Sequence, residues 1–320
     1  YKGLPLVVGE TGMNLSDAAT GVLLGLACGD ALGRPIEFRS AESIADQDGT
    51  VTEMLHHGTH SQPAGTVTDD TDLTLCIARS LVEQEAFDGE DVADRFHEWY
   101  ESGPFDIGLM TADAIGEYAG GTSWRDAGRR VWQHRAEGSN AGNGSVMRCA
   151  PHAVAFADDP STLVQVSRQS SAITHYDPRC TYGCAILNCT IAGYLRGDDD
   201  PLTDAVNRVE DDAPDELVET LRLVPDHVDT SQLPNSGYVV HTLQTALHDA
   251  LTADSAENAI VTAVNRGGDT DTIGAVTGAL VGARFGSESL PDRWLTTIDY
   301  REDLEPLAHA LATTEIDVGM

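Results

Sequence analysis

The sequence predicts an all-α protein built as one compact domain. Apolar residues recur at the three- and four-residue spacing of helices along nearly the whole chain. Alternating apolar and polar runs are scarce, and the pattern contains no strand–helix–strand alternation. The periodicity predicts helices at 15–28, 73–84, 91–100, 110–118, 163–171, 179–195, 238–251, 256–265 and 273–285.

The first and last of these helices carry glycines at four-residue spacing. Residues four apart share one face of a helix, and a glycine inside a helix costs about 1 kcal/mol relative to alanine. Such a repeat needs a packing benefit, so we expect both helices to be central and closely packed, with contact between them left open. The glycines are Gly21, Gly25, Gly29 and Gly33 in the first helix and Gly274, Gly278 and Gly282 in the last.

The two ends of the chain and one acidic stretch bear on its organisation. Residues 1–12 precede Met13 and include Lys2, so we interpret them as a non-native leader or an expression remnant. Residues 13–320 are expected to form the single domain. The stretch 198–219 is acidic with few large apolar residues, which predicts a solvated surface insertion.

The charge balance restricts the partners. The chain has 19 basic and 52 acidic residues, which gives a net charge of −33. Nucleic acid and anionic membranes need a cationic face, so both are unlikely partners. Apart from Lys2 the basic residues are all arginine. An acidic surface without lysine predicts adaptation to concentrated salt, where screening removes the self-repulsion of net charge; an ordinary acidic protein is the alternative.

The cysteines indicate a reducing compartment. None forms a Cys-x-x-Cys pair, and most lie in apolar helical segments, so a cytoplasmic location is expected. Cys180, Cys184 and Cys189 leave a metal cluster as the alternative to buried helix positions. No stretch was expected to reach the ~20 apolar residues of a membrane span.

Two acidic segments stand directly before predicted helices. Residues 68–72 precede the helix at 73–84, and residues 268–272 precede the helix at 273–285. Thr and Asp commonly cap helix N-termini, which is sufficient to explain either segment alone. Each segment nevertheless has more carboxylates and hydroxyls than one cap requires, and such oxygens suit Mg²⁺, Mn²⁺ or Ca²⁺. If the two helix starts face each other, they form a site for one or two metals. A calcium-binding EF-hand loop is excluded by the spacing.

These segments and several others resemble the ADP-ribosylglycohydrolase family, which includes dinitrogenase reductase-activating glycohydrolase. The matching segments occur in family order and cover the chain from about residue 15 to residue 286. They are 29–37, 64–71, 102–108, 142–148, 171–175, 237–240 and 267–274.

The resemblance implies a compact all-α fold around a dinuclear Mg²⁺ or Mn²⁺ site at helix N-termini, without a redox cofactor. Glu37 corresponds to a glutamate that approaches the metals and the scissile bond from a mobile loop. Asp106 corresponds to an aspartate at the distal ribose with a proposed role in acid–base chemistry. The implied metal ligands are Thr68, Asp69, Asp70, Asp269, Asp271 and Thr272.

The resemblance also implies substrate contacts. Asn143, Gly144 and Ser145 correspond to a turn near the diphosphate, and His175 and Tyr238 correspond to cleft positions.

Each residue assigned a role above also has an alternative interpretation without that role. Glu37 could be a surface carboxylate, Asp106 a helix cap and His175 a core histidine. The turn at 142–144 could make no ligand contact. Leu109 and Met110 replace the family's usual Asn-Thr, which bears on the local ribose contacts. The histidines at 56, 57 and 60 suggest zinc, but no further ligand has suitable spacing.

The implied function is hydrolysis of the bond between the distal ribose of ADP-ribose and an acceptor. The expected substrate is an ADP-ribosylated protein or a small ADP-ribosyl conjugate, with arginine as the first candidate acceptor and ADP-ribose as product. A hydrolase of another N-glycoside, such as a nucleoside, and a non-catalytic ADP-ribose binder are the alternatives. A glycosidase with two carboxylates and no metal would leave the acidic clusters unexplained.

Overall fold

The fold is described from a computed structural model that covers residues 15–318. The interpretation of residues 1–12 as a leader lies outside the described residues. Within them helices predominate and each of the two strands has only two residues, so the all-α prediction is confirmed, including each helix that periodicity predicted.

The α-helices of the described residues connect through short loops. Four single-turn 3₁₀ helices lie between them, at Arg34–Ile36, Val146–Arg148, Thr230–Gln232 and Ser287–Ser289. Two residues of β1 (Ala86–Phe87) pair in parallel with β2 (Asp317–Val318). In chain order the helices are α1 (Leu15–Gly33), α2 (Ala41–Asp48), α3 (Asp69–Gln84), α4 (Gly89–Glu101), α5 (Leu109–Ala119), α6 (Trp124–His134), α7 (Ala150–Ala155), α8 (Pro160–Ala172), α9 (Pro178–Arg196), α10 (Pro201–Val209), α11 (Asp215–Arg222), α12 (Val239–Thr252), α13 (Ala256–Val264), α14 (Thr270–Phe285), α15 (Asp292–Leu295) and α16 (Arg301–Thr313).

The glycine faces of α1 and α14 pack directly against each other. A Cβ atom built on Gly25 would lie 2.2 Å from the carbonyl oxygen of Gly278, and one on Gly29 would lie 1.9 Å from that of Gly274. The two backbones therefore touch along four helical turns, and the contact that the sequence left open is present. The facing pairs, which show that the helices run antiparallel, are Gly21–Gly282, Gly25–Gly278, Gly29–Gly274 and Gly33–Thr270.

Helix α1 is a core element. Together with the following turn it is apolar and long enough to span a membrane, with a mean hydropathy of 1.3, which corrects the expectation that no stretch has this property. However, 78% of its most apolar window is buried inside the fold. A helix whose whole circumference is apolar is expected at the centre of a large domain, which is where α1 lies.

The acidic stretch at 198–219 contains two helices that the sequence analysis did not predict. Helices α10 and α11 each bury one apolar side, including Leu202, Val206, Leu217 and Leu221, and present acidic residues to solvent. These few apolar residues are therefore sufficient to bury one side of each helix, because they occupy one face. Whether the stretch is an insertion stays a prediction.

All six cysteines are free thiols. Cys180, Cys184 and Cys189 lie along α9, where they are buried. Among residues 15–318, the side-chain groups spaced for a metal ion include no cysteine. Of the two alternatives, buried helix positions are therefore confirmed for these three cysteines.

Candidate metal centre and substrate cleft

Helix α3 begins with a cap and two carboxylates that do not serve as caps. Thr68 has an extended backbone, and its hydroxyl accepts a hydrogen bond of 3.3 Å from the amide of Asp70. The capping interpretation is thus correct for Thr68. Asp69 and Asp70, in the first turn, are both buried and line a cavity.

Asp30 of α1 holds the start of α3 in place through hydrogen bonds. It accepts hydrogen bonds from the hydroxyls of Thr68 (3.0 Å) and Thr71 (2.6 Å) and from both of their amides. Burial nevertheless raises the pKa of Asp30 to about 7. The sequence analysis assigned Asp30 no role, although a carboxylate inside an apolar glycine-rich helix was a visible anomaly. Through these bonds Asp30 fixes Thr68 and Thr71, the two residues that flank Asp69 and Asp70.

Helix α14 begins on the opposite side of the same cavity. The hydroxyl of Thr270 donates to the carbonyl of Gly33 at 2.8 Å, so the last contact of the glycine faces sets the position of this helix start. Asp269 occupies the cap position without making a capping hydrogen bond; instead it accepts one of 2.6 Å from the Asn143 amide. Asp271 is buried one residue after Thr270. The two acidic helix starts therefore face one site.

Glu37 joins these groups because its loop is paired with the loop before α14. The amide of Phe38 donates to the carbonyl of Gly268 at 2.7 Å, and the amide of Gly268 donates to the carbonyl of Arg39 at 2.8 Å. As a result, one carboxylate oxygen each from Glu37, Asp269 and Asp271 lie within 4.8 Å of one another. Glu37 is buried, so the alternative of a surface carboxylate is wrong.

The carboxylates line a cavity of about 380 Å³. A larger recess of about 680 Å³ between α5 and α6 is shallow and holds none of the predicted site residues. Of the predicted residues, the smaller cavity brings together Glu37, Asp69, Asp70, Asp106, Asn143, Gly144, His175, Asp269, Asp271 and Thr272.

Burial and mutual repulsion dominate the electrostatics of the cavity. Burial, and then the charges of neighbouring carboxylates, raise the pKa values of Asp70 and Asp271 well above their ordinary range. The same causes raise the pKa of Glu37 to about 9. Within residues 15–318, the Oδ1 atom of Asp70 is buried and has no hydrogen-bond partner. Divalent cations would neutralise these charges and coordinate that oxygen, so the donor set fits Mg²⁺ or Mn²⁺.

Asp106 lies at the mouth of the cavity. Its side chain is 22% exposed, and the amide of Gly108, two residues later, donates to Asp69 at 3.2 Å. Gly108 is the cap of α5, so the alternative of Asp106 as that cap is wrong. Leu109 follows on the rim and is 75% exposed.

Asn143, in the turn at 142–144, and His175 both line the cavity. Asn143 connects Asp269 to Thr242, and His175 lies next to Gly144, where a Cβ would come within 3.0 Å of its ring. Burial and the nearby guanidinium groups lower the pKa of His175 to about 3, so the imidazole is neutral. It is buried like a core histidine and yet borders the cleft.

Ser145, Tyr238 and Thr68 lie outside the lining of this cavity. Ser145 accepts a hydrogen bond from Ser171 at 2.9 Å, and the Tyr238 hydroxyl accepts one from Arg179 at 3.1 Å. The roles of Ser145 and Tyr238 in substrate binding and of Thr68 in metal binding therefore stay predictions.

Comparison with known proteins identifies the chain. The family model for ADP-ribosylglycohydrolases matches residues 11–318. The chain belongs to this family. It is 33% identical over 299 residues to the ADP-ribosyl-[dinitrogen reductase] glycohydrolase of Rhodospirillum rubrum, covering 92% of this chain and 95% of that one. It is 32% identical over 312 residues to the ADP-ribosylarginine hydrolase Tri1 of Pseudomonas putida (strain GB-1), covering 92% and 78%.

The solved structures agree. A chain of an ADP-ribosylglycohydrolase-related protein complex superposes with a TM-score of 0.80 at 32% identity, covering 94% of this chain and 99% of that one. The protein is accordingly an enzyme, an ADP-ribosylglycohydrolase with an acidic cleft suited to metal ions.

Two further side chains of this ADP-ribosylglycohydrolase lie at the site. The sequence analysis considered His60 only for zinc and gave Arg135 no role. His60 contacts Glu37 with its Nε2 atom 2.5 Å from Oε2. Arg135 lines the cavity beside His175 and Gly142. His56 and His57 are exposed and do not join His60, so the three histidines form no common site. Neither position could be found by spacing, because His60 lies in a loop without periodicity and Arg135 directly follows the last residue of α6.

The stability of the metal-free enzyme should depend on pH. The folded-state pKa values of Asp30 and Glu37 lie above their ordinary values of 3.8 and 4.5, so the folded protein binds these protons more tightly than the unfolded chain. The stabilisation is complete below pH ~4 and is lost as the pH rises through about 7 and about 9. We expect the melting temperature in EDTA to fall from pH 5 to pH 9, and Mg²⁺ to flatten this dependence. Differential scanning fluorimetry checks it; a flat profile in EDTA contradicts it.

Proposed function

We propose that this enzyme removes ADP-ribose from arginine side chains of proteins, using two divalent cations, Mg²⁺ or Mn²⁺. The acidic cleft carries the proposal, above all the unpartnered Oδ1 atom of Asp70, whose side chain lines the same cavity as Asp269 and Asp271. Arginine is supported by the relatives, one named for arginine and one for dinitrogen reductase. An acidic cleft mouth also suits a cationic acceptor.

The metal ligands proposed are the carboxylates of Asp69, Asp70, Asp269 and Asp271 and the hydroxyls of Thr68, the cap of α3, and Thr272, in the first turn of α14. When bound, the cations hold ribose hydroxyls and activate water as Lewis acids. Glu37 lies among these groups and is the carboxylate that we propose accepts a proton from the attacking water. One water is consumed, the ribose–nitrogen bond breaks, and the guanidine leaves with a proton.

Asp106 and the turn at 142–144 are proposed to bind the two ends of the ADP-ribosyl group. Asp106 lies at the mouth and is partly exposed, so we propose that it contacts the ribose hydroxyls next to the acceptor. The turn at the other end presents backbone amides that suit a diphosphate. Arg148 holds this turn, since its buried guanidinium donates to the Gly144 carbonyl at 2.8 Å and to the Thr174 hydroxyl at 2.7 Å.

Arg135 supplies the positive charge that a diphosphate requires. Among the described residues lining the cavity, it is the only one with a permanent positive charge. One of its terminal nitrogens donates to Asp113 at 2.6 Å, while its Nε is buried without a partner in the described part of the chain. Because an unpaired buried donor is costly, an anionic ligand at this position would be stabilised.

Arg135→Gln should therefore raise KM for the ADP-ribosyl substrate by about tenfold and leave kcat within about threefold, since a hydrogen bond to a charged group contributes ~1.5–3 kcal/mol. Arg130→Gln is the matched control. Arg130 is more than half exposed and pairs with Glu117 outside the acidic cleft. Steady-state kinetics measures both variants, and an unchanged KM in Arg135→Gln rejects the phosphate contact.

The function itself is tested by ADP-ribose release from an arginine-linked ADP-ribosylated protein, with Mg²⁺, with Mn²⁺ and with EDTA. Release that requires metal is the expected result. A serine-linked substrate and a nucleoside serve as comparisons, and faster turnover of either one rejects arginine as the acceptor.

The reaction is proposed to occur in the cytoplasm of a salt-adapted cell. Six free thiols support a reducing compartment, and the lysine-poor acidic composition supports high salt. The release assay is therefore run in dilute and in concentrated KCl, with higher activity expected in the concentrated buffer.

A further inference from the structure

The loop that carries the three histidines encloses the Glu37 segment. The amide of Thr59 donates to the Pro35 carbonyl at 3.0 Å, and its hydroxyl donates to the Glu37 carbonyl at 2.7 Å. Gly58 lies so close that a Cβ would come within 2.1 Å of the Pro35 oxygen. The backbone of Glu37 is thus held on this side by residues 58–59.

A buried arginine fixes the loop itself. The guanidinium of Arg34 donates to the carbonyls of Thr66 at 2.8 Å, Pro63 at 2.8 Å and His57 at 3.1 Å. Arg34 is fully buried and directly precedes the Glu37 segment. The loop and the Glu37 segment are therefore connected by hydrogen bonds to backbone carbonyls.

The conformation of the Glu37 segment needs such support. Phe38 has a φ of 64°, a left-handed conformation that is strained for a bulky residue, and its ring is 71% exposed. The Glu37 carboxylate is also repelled by the charges of Asp106, Asp269 and Asp69. Both effects favour rotation of Glu37 away from the cavity unless a contact opposes it.

The side chain of His60 provides that contact. Its Nε2 atom lies 2.5 Å from Oε2 of Glu37 and 3.9 Å from Oδ2 of Asp106, and the side chain is only 14% exposed. The rings of Phe105 and Phe38 flank it, with centroids 5.5 and 6.5 Å away. The imidazole is thereby fixed between the two carboxylates that border the cleft.

We propose that His60 is a positioning residue that holds the Glu37 carboxylate in the cleft, against the repulsion of the acidic cluster. The proposal rests on the proposed function, because it takes Glu37 to act in hydrolysis. It gives the histidine-rich loop a role other than zinc binding. His60 acts through Glu37, so its loss should reduce turnover rather than substrate binding.

His60→Ala should lower kcat by about 10–100-fold, the usual effect of losing a residue that orients an active group, with KM changed less than about threefold. His60→Gln, whose amide can still donate to Glu37, should recover part of kcat. His57→Asn is the matched control, since His57 is exposed at a φ of 66°, which asparagine tolerates. The control should keep wild-type kcat.

A double-mutant cycle separates positioning from a general structural role. Glu37→Gln alone and Glu37→Gln combined with His60→Ala should have the same kcat. A further loss in the double variant overturns the proposal, as does wild-type kcat in His60→Ala.

Hydrogen–deuterium exchange of the Phe38 amide gives a measurement that does not depend on activity. This amide is bonded to Gly268 in the folded protein and should exchange faster in His60→Ala at an unchanged melting temperature. Unchanged exchange rejects the positioning role even if the substrate proves different. An inactive wild-type enzyme that still shows faster exchange in the variant rejects the proposed function alone.

Discussion

Asp70→Asn is expected to lower kcat/KM for ADP-ribosyl-arginine hydrolysis by at least about 100-fold. Losing a residue that only orients a metal ligand already costs ~10–100-fold, so loss of a ligand should cost no less. The Oδ1 atom of Asp70 is a buried carboxylate oxygen that lacks a hydrogen-bond partner within residues 15–318, and the neutral amide oxygen of asparagine is a weaker ligand for a cation.

The same substitution should stabilise the metal-free protein. Asp70 is repelled by Asp30, Asp69 and Asp269 in the folded state, and a neutral amide removes that repulsion. We therefore expect a higher melting temperature in EDTA than for the wild type, together with a smaller increase on addition of Mg²⁺. Calorimetric titration with Mn²⁺ should show weaker binding.

Asp72→Asn controls for removal of an acidic residue from the same helical turn. Asp72 accepts a hydrogen bond of 2.9 Å from Trp99 and lies outside the cavity. The Asp72→Asn variant should retain wild-type activity. If Asp70→Asn retained activity within a few-fold in Mn²⁺, Asp70 could not be a ligand.

Gly278→Ala should destabilise the folded protein strongly. Its Cβ would lie 1.9 Å from the carbonyl oxygen of Gly25, a backbone atom that cannot rotate away. Overpacking a core commonly costs ~1–3 kcal/mol, and a clash between two backbones should exceed that range. Urea denaturation, or loss of soluble protein, measures the effect.

Gly116→Ala is the matched control for that substitution. Gly116 lies inside α5, and a Cβ there meets no atom within 4 Å. Alanine should therefore stabilise the protein by ~0.5–1 kcal/mol through its higher helix propensity. Equal stability of the two variants would show that α1 and α14 do not touch as described.

The sequence was sufficient to predict the long helices and both acidic helix starts, because each depends on local patterns. Glycine spacing predicted close packing of α1 and α14 but could not name the partner, since contact depends on the whole chain. Capping chemistry explained Thr68 but not Asp69 or Asp70.

Other features could not be predicted from local pattern. Asp30 caps a helix whose first residue is far along the chain, and His60 reaches Glu37 through a loop without periodicity. Helices α10 and α11 are short, so their few leucines and valines do not form a pattern long enough to predict a buried face. In each case the deciding contact joins segments that the local sequence does not connect.

The pairing of α1 with α14 also has a consequence during synthesis. Thr270 and Gly33 are 237 residues apart, and at ~5–20 residues per second a ribosome needs roughly 10–50 s to make the chain between them. Through that time the nascent α1 is an apolar helix without its partner, a natural target for holding chaperones. The acidic start of α3 is likewise made long before the acidic start of α14, so a cation that binds both could do so only after α14 has been synthesised.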